Sequence, residues 1–236
     1  MTTPLWGPDF VPPEHSATTW EEWAEYLRGL DAVEQQWRSR PATPAPWAIN
    51  PKECVGWLPY QMADFIRLLA ESMPAIQGPK FLDVGCGPGT KMQAARALFG
   101  LNVAGLEIVP EMAQAAREAA LRVAEVDARS WLGYGEADVI FMNRPIVPPE
   151  RLERHVMRLM KPGAVLISVN GVTRPSQAGW DVVSEEIGPG PVKGIWARPE
   201  VKGSEPAPDP AADLLAGNGL RPYVTDIPLP EQAEKP

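Results

Sequence analysis

Histidine and cysteine are scarce in this chain. Its 236 residues hold two of each, His15, His155, Cys54 and Cys86, and neither pair has the spacing of a metal site or a redox motif. Basic charge is also short: 22 Lys and Arg against 30 Asp and Glu give a net charge of −8. Broad, sequence-independent binding to nucleic acid needs a basic footprint, so a nucleic acid partner is disfavoured, although a local basic groove stays open. No apolar run reaches the length of a bilayer span, and the first residues lack the basic-then-hydrophobic pattern of a secretion signal. No repeat recurs at a solenoid period. The expectation is a cytoplasmic globular protein, with no membrane partner and a length that suits one α/β domain with extensions.

Proline and tryptophan, by contrast, are plentiful and unevenly placed. The 28 prolines crowd both ends, and six of the nine tryptophans precede residue 58. That distribution divides the chain into an N-terminal arm (1–58), a central domain (59–198) and a proline-rich tail (199–236). Within the arm, Thr19 and Glu22 match a capping box, and Trp20, Trp23, Leu27, Leu30 and Trp37 follow at helical spacing. A helix over 20–38 is predicted, its tryptophan face packed on the core, with a partner surface or substrate lid as the alternatives. Residues 41–51 contain too many prolines for a helix and read as an extended crossing. In the tail only Leu214, Leu215 and the stretch 223–229 are apolar enough to dock on anything.

The central domain alternates regularly. A helix beginning near Pro59 and carrying Met62, Phe65, Ile66 and Leu69 leads into a short apolar strand, 81–84. There follow a helix 91–99 stopped by Gly100, a strand 103–108, a helix 111–121 opened by Pro110, and a strand 122–126. A strand 138–142, a helix 150–160, a strand 164–170 and a final hairpin from 180–186 and 193–198 complete the series. This order implies a mainly parallel sheet covered on both faces by helices.

The chemistry concentrates at Lys80-Phe81-Leu82-Asp83-Val84-Gly85-Cys86-Gly87-Pro88-Gly89-Thr90. A strand that bends through alternate glycines into a helix brings backbone close to a ligand and offers unpaired N–H groups to it. A phosphate-binding loop would end in Gly-Lys-Ser/Thr, whereas Thr90 here precedes Lys91 and Met92 follows. The dinucleotide pattern G-x-G-x-x-G/A is narrowly missed, because Thr90 takes the third glycine's place; a nicotinamide-dependent enzyme is the lesser reading.

Val84 to Gly89, with Asp83 before them, resemble the first signature motif of the class I S-adenosylmethionine-dependent methyltransferases. Further pieces of that resemblance occur in the same order: Glu107 at the end of the second strand, Val126-Asp127-Ala128 after the third, 137–143 at the fourth, and Leu159-Met160-Lys161-Pro162-Gly163 before the fifth. The resemblance covers about residues 59–198 and implies a seven-stranded, mostly parallel Rossmann-like sheet, with S-adenosylmethionine as cofactor. It implies that Asp83, Gly85, Cys86, Gly87 and Gly89 hold the amino acid end. Glu107 would meet the ribose hydroxyls beside Ile108, and Asp127 and Ala128 the adenine. A carboxylate suits a vicinal diol because it supplies two acceptors. Asn143-Arg144-Pro145-Ile146 stands where amino-directed family members carry Asn/Asp-Pro-Pro-aromatic. It keeps the asparagine but loses the stacking residue, so Asn143 is the weak candidate for lining the methyl site.

Each residue also has a structural reading. Asp83, Glu107 and Asp127 suit plain caps or an exposed acid, and Asn143 a turn. The Cys86 thiol is expected to be incidental. His15 and His155 are expected at the surface, and Lys91 in solvent. Two functions follow: a methyltransferase acting on a small-molecule or protein acceptor, or a non-catalytic interaction protein that keeps the fold. The second draws on the short link between 170 and 180 and on the two ends, which could serve a protein partner or self-association. Trp20, Trp23, Tyr60, Asn143, Arg144 and Trp180 are the residues to look for around an acceptor.

Overall fold

A computed structural model describes residues 5–6, 19–39, 60–143, 150–186 and 192–200. All of them lie within Met1–Val201, the first of two units into which the chain divides. Arg144 to Ile146, the proline-rich crossing at 41–51, His15, Cys54 and the docking spots of the tail lie outside the described residues.

One sheet of seven strands organises the chain: β1 (Lys80–Val84), β2 (Asn102–Glu107), β3 (Arg122–Glu125), β4 (Val139–Asn143), β5 (Val165–Gly171), β6 (Asp181–Glu186) and β7 (Val192–Ala197). Their order across the sheet is β3-β2-β1-β4-β5-β7-β6. The first five pair in parallel, and β7 runs antiparallel between β5 and β6. The expected hairpin therefore exists, with its second strand inserted next to β5.

The helices are α1 (Trp20–Arg38), α2 (Met62–Ser72), α3 (Thr90–Phe99), α4 (Pro110–Glu118) and α5 (Glu150–Leu159). Central strands are buried on both faces, as a parallel sheet between helix layers requires. Successive side chains alternate accordingly. Phe81, Val139 and Phe141 join one core with Phe65, Leu69, Met92 and Leu30 of α1, α2 and α3. Leu82, Val84, Ile140 and Met142 join the other with Leu152 and Val156 of α5, Tyr134 and Trp6. Phe65 holds the first core together edge-on, 4.9 Å from Phe141 and 6.1 Å from Phe81 between ring centroids.

Three expectations need correction. The tryptophan face of α1 packs only in part: Leu30 is buried with Tyr26 and Leu27 beside it, while Trp20 is 87% exposed. His155 is buried rather than superficial, its Nε2 2.9 Å from the Trp131 carbonyl. The helix predicted over 111–121 stops at Glu118. Leu121 N–H donates to Ala116 and Ala120 N–H to Arg117, a Schellman ending in which Ala120 takes the left-handed place (φ 57°) usually given to glycine.

Candidate functional site

The loop between β1 and α3 is shaped by its glycines. Gly85, Gly87 and Gly89 all have positive φ, at 78°, 55° and 81°, so the alternate-glycine pattern has a direct steric cause. A Cβ at Gly89 would collide with Leu121 Cδ1, which forbids a side chain there on packing grounds as well. Gly85 and Cys86 donate their N–H groups to the Leu106 carbonyl, tying the loop to β2. Gly105 of β2 leaves the space that Cys86 fills, since a Cβ at that glycine would meet Cys86 Sγ at 2.5 Å. Burial pushes the Cys86 thiol well above its ordinary pKa, which disfavours the nucleophilic thiolate.

Asp83 is 2% exposed, and its Oδ2 has no hydrogen-bond partner among the described residues. Burial pushes its pKa up to about 7, opposed by Lys91 and reinforced by Glu107 and Glu34. A buried carboxylate oxygen left without a donor is costly unless a cation or donor reaches it. Such an atom is what a bound ammonium or sulfonium would satisfy.

Glu107 does more in the structure than the sequence suggests. Its Oε2 accepts the Gly87 N–H at 2.7 Å, and its Oε1 accepts Ile108 N–H at 2.8 Å and Val109 N–H at 2.9 Å. It therefore pins the glycine loop to the end of β2. Burial raises its pKa even against those three amide bonds. A carboxylate has about four lone-pair directions, so room for a further donor remains.

Asp127 and Ala128 lie in the turn after β3, which is tied to β2 through Val126 N–H and the Glu107 carbonyl at 3.0 Å. The Asp127 carboxylate accepts the Arg129 N–H at 2.9 Å and forms a fork with the Arg129 guanidinium at 2.9–3.2 Å. Ala128 is buried, and its carbonyl accepts the Tyr134 hydroxyl at 2.7 Å. At the end of β4, Asn143 Oδ1 accepts from Asn170 Nδ2 at 2.8 Å. Asn170 itself sits at φ 56°, beside an irregularity in the β5–β7 pairing. Tyr60 packs 6.2 Å from Phe141 and has a buried hydroxyl with no partner among the described residues.

Asp83, the glycine loop, Glu107, Asp127, Ala128 and Asn143 lie at or just after the carboxyl ends of β1 to β4, the edge where parallel sheets bind ligands. Glu107 is joined to the glycine loop by a hydrogen bond, whereas Asp127 and Asn143 stand in their own local networks. Residues 81–163, under half of the chain, match the family model described as a methyltransferase domain. Over those residues this chain is similar to a methyltransferase domain.

Several solved structures are similar to this chain. An Escherichia coli protein, yhhF, described as a candidate methyltransferase, superposes with a TM-score of 0.50 at 16% identity, over 62% of this chain and 90% of that one. An RNA methyltransferase from Salinibacter ruber, in complex with S-adenosyl-L-homocysteine, gives 0.49 at 19% identity over 64% of this chain and 100% of that one. Human N-acetylserotonin methyltransferase, in complex with SAM, gives 0.46 at 15% over 75% of this chain and 56% of that one. Likeness at these identities concerns the fold and is silent on substrate. No curated protein matches the sequence.

Sequence reasoning missed four features of this chain. Glu34 of α1 is buried and bonded to Thr90 and Lys91, so Lys91 does not face solvent. Its place four residues after Leu30, on the packed stripe, was the available signal. Glu153 of α5 is buried and accepts the Val172 and Thr173 N–H groups at 2.9 and 2.6 Å, holding the chain as it leaves β5. Asp138 binds the Lys80 N–H at 2.8 Å and pairs with Lys161. Trp6 is buried and donates to the Asn102 carbonyl at 3.2 Å.

Proposed function

We propose that this protein is an S-adenosylmethionine-dependent methyltransferase acting on a small-molecule or protein acceptor. The observation that carries the cofactor assignment is the orphaned, buried Asp83 oxygen beside a loop of three left-handed glycines. Asp83 favours the cationic amino acid end, and Gly85, Cys86, Gly87 and Gly89 bring backbone up to it. Glu107 and Ile108 meet the ribose, Asp127 and Ala128 the adenine, and Asn143 lines the reaction space. The residues fit that group: the acids supply charge of the right sign, and the glycines supply close approach.

The bound cofactor supplies an already activated methyl carbon, open to in-line displacement. The protein's part is to align the acceptor and keep water out, which needs no general base. Arg129 caps the outer side of Asp127 and Tyr134 buttresses Ala128, so the adenine end is held by a preformed turn. The acidic net charge of −8 favours a small-molecule or protein acceptor over nucleic acid. Among the described residues no helix is long and apolar enough to cross a membrane. The free, buried Cys86 thiol suits a reducing compartment such as the cytoplasm. Among the described residues of the arm, the exposed Trp20 at the start of α1 supports a partner surface there.

The test is transfer of labelled methyl from S-adenosylmethionine to candidate acceptors by the purified chain. Product formation that disappears in Asp83→Asn supports the reading. Tight cofactor binding without transfer to any acceptor class would favour the interaction protein that keeps the fold.

A further inference from the structure

Glu34 lies on α1, outside residues 81–163 that match the domain. A carboxylate in mid-helix is normally solvated, yet Glu34 is 6% exposed and its Oε1 accepts from both the Thr90 hydroxyl and the Lys91 ammonium. These donors are the first two residues of α3, directly after Gly89. Desolvating an ion pair offsets most of its Coulombic gain, so stability alone is a weak reason for burying one. Position is the better reason. Asp83 follows Phe81 by two residues and so faces the same side of the sheet, the side covered by α1, α2 and α3. The Asp83 oxygen that lacks a partner therefore shares its layer with the Glu34–Lys91 pair.

We propose that Glu34 is a positioning residue for the amino acid end of the cofactor, holding Lys91 and Thr90 so that the ammonium of Lys91 meets the ligand's carboxylate while Asp83 meets its amine. This rests on the cofactor reading above. A lysine ammonium has three donors, and Glu34 Oε1 uses one of them. Without the Glu34 charge, Lys91 is left to the other acids its charge reaches, Asp83 and Asp31, and any pairing with Asp83 withdraws that acid from the amine. Both charges also act on Asp83, Lys91 lowering its pKa and Glu34 raising it. The N-terminal arm thus completes the methionine subsite of the central domain.

The experiment compares two ligands by calorimetry on the full chain. S-adenosylhomocysteine carries the amino acid end; 5′-methylthioadenosine has the same nucleoside and sulfur without it. Glu34→Gln and Lys91→Met should each weaken S-adenosylhomocysteine about tenfold and leave 5′-methylthioadenosine within about twofold. The double variant should be no weaker than either single one, because the residues act as a unit. Lys91→Arg keeps the charge and should restore the ratio of the two affinities, which holds the test open if Glu34→Gln fails to fold. Equal losses on both ligands, or no loss on either, would overturn the positioning role while leaving the cofactor reading intact. If the unmodified chain binds neither ligand, the cofactor reading falls and takes the role of Glu34 with it.

Discussion

A carboxyl group that is 2% exposed, with an oxygen unsatisfied among the described residues, gains from being protonated. That is the situation of Asp83, whose pKa rises from 3.8 to about 7 on folding. The folded state therefore holds a proton that the unfolded state has released between those two values. Stability from this group is fully present below the unfolded pKa and is lost as pH rises toward and past 7, by on the order of 4 kcal/mol. Asp83→Asn removes the penalty. Its ligand-free thermal midpoint should exceed that of the unmodified chain at pH 8 and match it at pH 5. Cofactor affinity should move the other way, because a cation needs the ionised form. It should fall as pH drops below 7 in the unmodified chain, and Asp83→Asn should lose at least about tenfold at pH 8. Of the candidate residues, Asp83 and the glycines were legible because strand end and bend are local patterns. The Glu107 bonds were not, since they depend on β2 lying beside β1. His155 and Lys91 were misplaced for a related reason: a polar residue on a helix says nothing about what packs over it.

Elements add constraints that single residues do not show. The loop from Gly85 to Gly89 is tied by hydrogen bonds to Leu106 and Glu107, and Leu121 fills the space beside Gly89. Gly89→Ala forces a left-handed alanine against Leu121 and should cost about 2–4 kcal/mol in denaturant unfolding, with loss of cofactor binding. At the end of α4 the opposite holds. Ala120 already occupies a left-handed position, so Ala120→Gly should stabilise the chain by about 1 kcal/mol on the same measurement. Helix starts and stops with a local signal were legible in the sequence: the Thr19–Glu22 capping box forms in both directions, and Gly100 closes α3 at φ 65°. The end of α4 carried no such signal, because an alanine stands in the place of a glycine.

At the scale of the molecule, the alternation of strands and helices along the chain was enough to make the parallel sheet legible. The antiparallel insertion of β7 came only with the fold, since a hairpin in sequence does not say which of its strands meets the sheet. The arm was half legible for the same reason. Helical spacing showed that α1 has an apolar face, but only packing shows that Glu34 sits within it while Trp20 stays outside. The proposed function requires the glycine-lined site to hold a cation at Asp83. Calorimetric titration of S-adenosylhomocysteine at pH 8 and pH 5.5, with Asp83→Asn alongside, tests it most directly. The prediction is saturable one-to-one binding that is at least about tenfold tighter at pH 8 and loses that pH dependence in the variant. Absence of binding at both pH values, or binding indifferent to Asp83, would contradict it.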